Sequence, residues 1–397
     1  MKVIRTLILL LGTGLPMLAV PAWARLTGMS CEDCHQLPTF QLTAMGLEFQ
    51  RNGARLDPTH FDASDASAQK LGNYASLTLE ASSTAVKGTK PTIQTSQPDI
   101  QLVSGGALSS HFGYTLMYHF NTGATPADGM EEAFIQYNLP ISKTAFLQVR
   151  GGQFNPEILR DFGLGAGSAL GEPLVLGTPA STTSPFTLDA ALRGVDAKLN
   201  WSNLEVAAGV TDSLTPTTDS TGASVAGPSP TNHKDTYESA LYRFDDYASG
   251  IGIFRLDGKN PVLDAANPGA VLFNDDFYRN GVLGRFIRDN WRLMGAYFEG
   301  RHQVDLAGTT TKNAGYFLLC DLDFNPSFGL FGRYDDVRPD TADPSQDQAM
   351  KTLGISGMAF HSAKDGGRWT LQASRTTYKD GVTPNNDQLI ADLIVAF

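Results

Sequence analysis

The sequence predicts an all-β fold, an antiparallel β-barrel of about 16 strands spanning an outer membrane, preceded by a small, short-helical N-terminal segment placed to plug it. Three observations predict it. Segments of period-two alternation, each about ten residues long, recur from about Leu71 onward, the length a tilted spanning strand needs. Their ends carry aromatics, among them Tyr114, Tyr137, Trp201, Tyr242, Trp291, Phe324 and Tyr378, which suit interfacial girdles. The chain ends on an alternating strand, Leu389 to Phe397, with a terminal Phe of the kind bacterial outer-membrane proteins use for sorting. Composition excludes other classes. A mean hydropathy of −0.16 with 18% charged residues is not that of a helical membrane protein, since beyond the first two dozen residues no ~20-residue apolar run occurs. A net charge of −11 argues against nucleic acid as a partner. Three cysteines in 397 residues exclude a disulfide-stapled mini-domain.

Residues 1–24 read as a secretory signal. Lys2 and Arg5 form the charged start, Leu7 to Leu11 and Leu15 to Leu18 the apolar stretch, and Ala22-Trp23-Ala24 a small-x-small cleavage site. Ala19 and Ala22 are further cut points. Losing Lys2 and Arg5 with the leader takes the formal charge from −11 to −13.

Residues 25–70 hold the strongest chemical motif. Cys31-Glu32-Asp33-Cys34-His35 is C-x-x-C-H, the attachment motif for c-type haem. Two thiols three positions apart can each form a thioether to a haem vinyl group, and the adjacent His35 can ligate the iron. A redox pair would sit beside a βαβ pattern, which is missing; a zinc site would want a second pair, and the remaining cysteine is Cys320. One motif predicts one covalent haem c. The distal ligand stays open between Met45, His60, Met29, a ligand from the barrel and five-coordinate iron. Leu42, Met45 and Phe49 recur at helical spacing, a face expected to lie against the porphyrin. A segment of under 50 residues buries too little surface alone, so it is expected to pack on or inside the remainder. A linker-like Asp/Ser/Thr stretch (57–69) follows it.

Residues 71–397 form the predicted barrel. Strands are expected to start near Leu71, Asp99, Ser109, Met130, Thr144, Asp189, Asn203, Asp235, Ala248, Phe273, Asn290, Lys312, Ser327, Ala349, Gly367 and Asn386. Val195, Ala197, Leu199 and Trp201 alternate with Gly194, Asp196, Lys198 and Asn200. Leu147 and Val149 alternate with Phe146, Gln148 and Arg150, and Leu204 and Val206 with Asn203 and Glu205. Leu318, Cys320 and Leu322 alternate with Asp321 and Asp323. The apolar parity is assigned to lipid and the polar parity to the lumen, which makes Cys320 a small apolar filler. The longest connections, Asn155 to Leu188, Thr211 to Lys234 and Leu256 to Val271, belong outside the cell. The first carries Pro156 to Arg160, a turn of helix able to fold inward or onto the haem segment.

Paired acids (Asp245-Asp246, Asp275-Asp276, Asp335-Asp336, and Asp340 with Asp343 and Asp347) read as solvated loop and lumen surface, or as attractors of a cation such as Fe²⁺. No His/carboxylate group has metal-ligand spacing. His111 and His119 share strand parity and stay minor candidates for the haem or a donor.

The order of one haem motif and a barrel resembles the outer-membrane monohaem cytochrome–porin fusion proteins implicated in extracellular iron oxidation. Ala19-Val20-Pro21-Ala22-Trp23-Ala24-Arg25-Leu26-Thr27-Gly28-Met29-Ser30-Cys31 is similar to that family's A-x-P-x-F-A-R-Q-T-G-x-x-C. Leu42-Thr43-Ala44-Met45-Gly46-Leu47-Glu48-Phe49 with Asn52-Gly53 is similar to its L-T-x-x-G-x-x-F-K-x-x-G-Y. Trp23, Leu26, Gln50 and Ala54 depart from the pattern, and Met45 stands where the family tends to carry an aromatic. The likeness covers about 35 residues, and the barrel only in architecture. Val149 to Pro156 also resembles a stretch of phosphate-selective O/P-type porins, although the sequence lacks the basic excess such a pore suggests. The resemblance implies that Arg25, Thr27 and Gly28 support the haem segment or a propionate. It implies an iron-oxidising electron conduit from extracellular Fe(II) to a periplasmic c-type cytochrome or other soluble carrier. A porin with a structural or gating haem, and a conduit run outward to an extracellular acceptor, are the alternatives.

Overall fold

A computed structural model describes residues 27–36, 41–52, 75–87, 92–95, 99–121, 129–164, 168–179, 187–213, 218–219, 233–244, 248–267, 270–325, 327–361 and 366–396. The expected leader, Arg25, His60, Asp245-Asp246 and the terminal Phe397 lie outside the described residues.

Sixteen strands close into one barrel. They are β1 (Ala75–Lys87), β2 (Asp99–Ala107), β3 (Phe112–Asn121), β4 (Gly129–Ser142), β5 (Ala145–Phe154), β6 (Leu192–Trp201), β7 (Leu204–Ser213) and β8 (Asp235–Phe244). The circuit continues with β9 (Ser249–Leu263), β10 (Val271–Arg288), β11 (Trp291–Gln303), β12 (Thr310–Asn325), β13 (Phe328–Arg338), β14 (Gln348–His361), β15 (Gly366–Tyr378) and β16 (Asn386–Ala396). Each pairs antiparallel with its neighbour, and β16 returns to β1 with Ala391 opposite Ser83. Every predicted start falls within a few residues of an observed one. Two short extended pieces, Thr92–Thr95 on β1 and Thr218–Asp219 on β9, add to one rim.

The ends of the barrel differ. Two residues join β4 to β5, β6 to β7 and β10 to β11. Ser202 (φ 49°) and Asp289 (φ 52°) take the left-handed backbone such tight hairpins need. The opposite rim carries the β5–β6 and β7–β8 connections and the long strand β10, 18 residues against the 9–11 that cross a bilayer. The long-loop rim is extracellular and the tight-turn rim periplasmic, where β1 starts and β16 ends. The third long connection proves mostly strand: β9 runs on to Leu263, and β10 starts at Val271.

Parity on β5 to β7 follows the sequence. Val195 and Trp201 are 55% and 61% exposed on the outer wall, while Asp196 and Lys198 are 2% and 4% exposed inside. Cys320 stands on the outer face, so it is exposed on the chain and covered by lipid rather than by protein. The periplasmic girdle is seen in Tyr137 against Phe112 (ring centroids 4.9 Å) and Phe324 against Phe328 (5.7 Å).

The assignment of a polar lumen needs correction from β8 to β13. Leu241, Phe254, Leu256, Leu283, Met294, Phe298, Phe317, Leu319 and Phe331 face inward and are buried. They enclose Ile158, Leu159, Phe162, Val175 and Leu176 from the β5–β6 connection, which folds into the barrel. Both parities are apolar there because the inner one packs on protein and the outer one on lipid.

Ile253 is exposed on the outer wall, opposite Ala240 at the middle of β8. Ile253→Arg should therefore cost roughly 2–4 kcal/mol in urea unfolding from lipid vesicles. A cost near zero would place this parity inside.

Candidate functional site

The N-terminal segment lies inside the barrel. Helix α1 (Cys31–Cys34) leads into His35–Gln36, which pairs antiparallel with Gln41–Leu42, and helix α2 (Ala44–Arg51) follows. Local chemistry sets these elements. Asp33 caps α1 by accepting from Ser30 N (2.7 Å). Thr43 caps α2 by accepting from Gly46 N (3.1 Å), and its hydroxyl donates to Asp33 O (2.6 Å). Gly46 is required by packing: a Cβ there would stand 2.2 Å from Cys34 O.

The C-terminus of α2 docks on the wall near the periplasmic turns. Gln148 Nε2 donates to Arg51 O (2.9 Å), and Asn138 Nδ2 donates to Asn52 O (2.9 Å). The Arg51 guanidinium lies 5.7 Å over the Phe146 ring and 3.8 Å from Glu205 Oε1.

The inward connection enters from the other side. It carries helices α3 (Glu157–Phe162) and α4 (Leu174–Gly177). Glu157 and Asp161, one turn apart, face the wall cations. Lys198 Nζ donates to Glu157, and Arg243 Nη2 to Asp161. Arg243 Nε donates to Glu205 Oε1 (2.6 Å), and Lys198 Nζ lies 3.8 Å from Glu205 Oε2. Burial pushes the Glu157 carboxyl up, but Lys198 and Arg150 outweigh it and hold the group down at about 2. Arg333 Nη1 donates to Gly171 O (2.7 Å), and Leu174 N donates to Asp335 Oδ1 (3.0 Å), so the loop is tied at both ends. The paired acids are thus largely matched to cations: Asp335 to Arg333 (2.9 Å), Asp336 to Arg338 (3.0 Å), Asp276 to Lys259 (3.0 Å) and Asp347 to Lys379 (2.9 Å). Among the described residues no group of three or more His, Cys, Asp or Glu can hold a metal ion.

Between the N-terminal segment and the inward loop lies a cavity of ≈ 630 Å³. Thr27, Met29, Cys34, His35, Leu42 and Leu47 line it from the segment. Met117, Phe134, Met294, Phe317, Leu319 and Arg285 line it from the wall. Cys31 occupies the first position of α1. Gly28, at φ +72°, turns the chain before α1 and has open space around it. Met45 departs from the expected face: it is 45% exposed and absent from the lining, while Gly46, Leu47, Phe49 and Gln50 line the cavity. The predicted stripe splits because Leu42 precedes the helix and Thr43 caps it. His111 lies in a periplasmic turn, stacked on Tyr137 at 5.8 Å. His119 lies toward the outer rim, between Asp99 (2.8 Å) and Glu131 (2.7 Å). Neither lines the cavity. Met117, Met294 and Arg285 were not legible as site residues, since each sits in a strand repeat like its neighbours.

The residues present fit a c-type haem. Cys34 and His35 open on a largely apolar space of the size that encloses a cofactor, and Gly46 keeps α2 close against the motif.

No family model matches the chain, and no curated protein matches it. Solved structures do. The chain is similar to the anion-selective porin from Comamonas acidovorans (11% identity, TM-score 0.58, 81% of this chain and 98% of that one). It is also similar to outer-membrane expressed OmpT of Vibrio cholerae (9%, TM-score 0.55, 81% and 97%) and to OprB of Pseudomonas putida (12%, TM-score 0.53, 84% and 96%). At these identities the likeness is one of fold. The chain has the closed β-barrel architecture of bacterial outer-membrane porins.

Arg243→Ala should leave Asp161 buried without its ion-pair partner, with Glu205 keeping only Lys198 and Arg51 at 3.8 Å, and cost about 3–5 kcal/mol. Urea unfolding and faster proteolysis between residues 155 and 191 would register it; an unchanged midpoint would make the pair dispensable. Gly46→Ala should part α1 from α2, at a cost of about 1–3 kcal/mol. Hydrogen exchange of the α2 amides should then speed up while the barrel strands stay protected.

Proposed function

We propose that the barrel carries one covalently attached haem c in its lumen and serves as an outer-membrane electron conduit, taking electrons from an extracellular donor, Fe(II), to a periplasmic c-type cytochrome or other soluble carrier. The observation that carries this reading is that Cys34 and His35 line a cavity enclosed within a membrane-spanning barrel. When bound, such a haem supplies a one-electron couple.

The chain's own residues supply the rest. Cys31 and Cys34 offer the two thioether sulfurs and His35 the proximal nitrogen. Met29, Met117 and Met294 are the described methionines on the cavity wall, and they join Met45, His60 outside the described residues and an open position as candidates for the distal side. Leu42, Leu47, Phe134, Phe317 and Leu319 exclude water. The inward loop narrows the lumen above the cavity, and the N-terminal segment fills it from the periplasmic side.

A second reading is a porin for small solutes whose haem is structural or gating. The likeness to an anion-selective porin favours it. The same conduit run outward to an extracellular acceptor differs only in the haem's potential and partners.

The purified mature protein should show a c-type haem spectrum that Cys34→Ser diminishes, and anaerobic Fe(II) should bring up the reduced α-band. Absence of the spectrum removes both electron-transfer readings. Haem that Fe(II) cannot reduce removes the iron donor. Free permeation of sugars or phosphate through reconstituted protein decides for the porin.

A further inference from the structure

We propose that Arg285 is the wall anchor for a carboxylate of the bound group, a haem propionate; this rests on the haem reading above. Arg285 comes from β10, near the periplasmic turn, and lines the same cavity as Cys34 and His35. It is 2% exposed. Its Nε donates to Ala248 O (3.1 Å) and its Nη1 to Asp161 O (3.2 Å), and the guanidinium lies 5.4 Å from the Phe162 ring centroid. These partners are peptide carbonyls and a ring, and among the described residues no carboxylate pairs with it. Among them its Nη2 also has no hydrogen-bond partner. The nearby Asp161 carboxylate is committed to Arg243.

Three of the other four arginines that line the cavity hold a carboxylate: Arg150 holds Asp196, Arg160 holds Glu132 (2.7 Å), and Arg333 holds Asp335 (2.9 Å). The fourth, Arg368, has Asp392 and Glu80 as charged neighbours. A buried cation without an anion is costly, and the cost is recovered when a ligand brings one. A guanidinium fork matches a carboxylate. A haem presents two propionates on the edge away from the vinyl groups that Cys31 and Cys34 would take, so an anchor on the barrel wall can meet them, and Arg285 is a wall residue on the same cavity. The same fork would also accept a small free carboxylate or phosphate, so the test separates the two sources.

The experiment uses the full-length haem-loaded protein as wild type, Arg285→Gln and Arg285→Lys. Haem content is measured first, then the midpoint potential by spectroelectrochemistry, with and without excess acetate or phosphate. Arg285→Gln should make reduction at least tenfold less favourable, about 59 mV for one electron, because the ferric form no longer competes with a fixed cation. Arg285→Lys should keep most of the wild-type potential but shift the propionate bands in resonance Raman spectra, since a point charge replaces a fork. That variant carries the test if Arg285→Gln does not assemble. An unmoved potential, or unmoved propionate bands in Arg285→Lys, overturns the assignment. A wild-type potential that follows added acetate or phosphate, lost in the variants, also overturns it in favour of a free anion. Haem absent from wild type overturns this inference together with the proposed function, whereas haem retained with an unmoved potential overturns this inference alone.

Discussion

Glu205 sits at the junction of three parts of the molecule. Its carboxylate receives Arg243 from β8, stands near Lys198 from β6, and is reached by Arg51 from the end of α2. Arg243 and Lys198 in turn grip Asp161 and Glu157 on the inward loop. One buried cluster thus binds wall, loop and N-terminal segment. Burying so many charges is costly, and each is tolerable only because it has several partners at once. That makes the cluster a specifier of arrangement more than a source of net stability. Remove one charge and the others are stranded inside the barrel.

The inward loop is also why half of the lumen is apolar. An empty porin interior faces water, and strands that line it alternate cleanly. Here Ile158, Leu159 and Phe162 need a dry surface, and Leu241, Phe254 and Phe298 supply it. Fully burying such side chains contributes about 1.5–3 kcal/mol each. The barrel therefore has a protein core on one side and an ionic wall on the other. The cavity lies where they meet the N-terminal segment, so its lining includes both Phe317 and Arg285.

This architecture bears on what passes through the barrel. Among the described residues, the N-terminal segment from the periplasmic side and the inward loop both narrow the lumen, and the cavity lies between them. The C-x-x-C-H motif and the porin likeness of the barrel describe different parts of one chain.

Much was legible in the sequence because it depends on local repetition. Period-two alternation located every spanning strand, including the one beginning at Asp99, and the contrast of Val195 with Asp196 gave the correct side. Where both parities are apolar, as with Ile253 and Phe254, alternation carries no sign, and only the inward loop tells inside from outside. In the site, Cys34 and His35 on the cavity wall were legible because the C-x-x-C-H motif is a contiguous spacing. Met45 was misplaced because Thr43 starts the helix later than the apolar repeat suggested. Arg285 could not be found from sequence at all. Its meaning lies in what surrounds it: a cavity, two carbonyls, a ring, and a nearby carboxylate already held by Arg243. Sequence alone determined a barrel and its strands and wrote out the C-x-x-C-H motif, since these are properties of neighbouring residues. Only the tertiary structure decided that the motif opens into the lumen and which wall charges are matched, since those depend on residues brought together from distant strands.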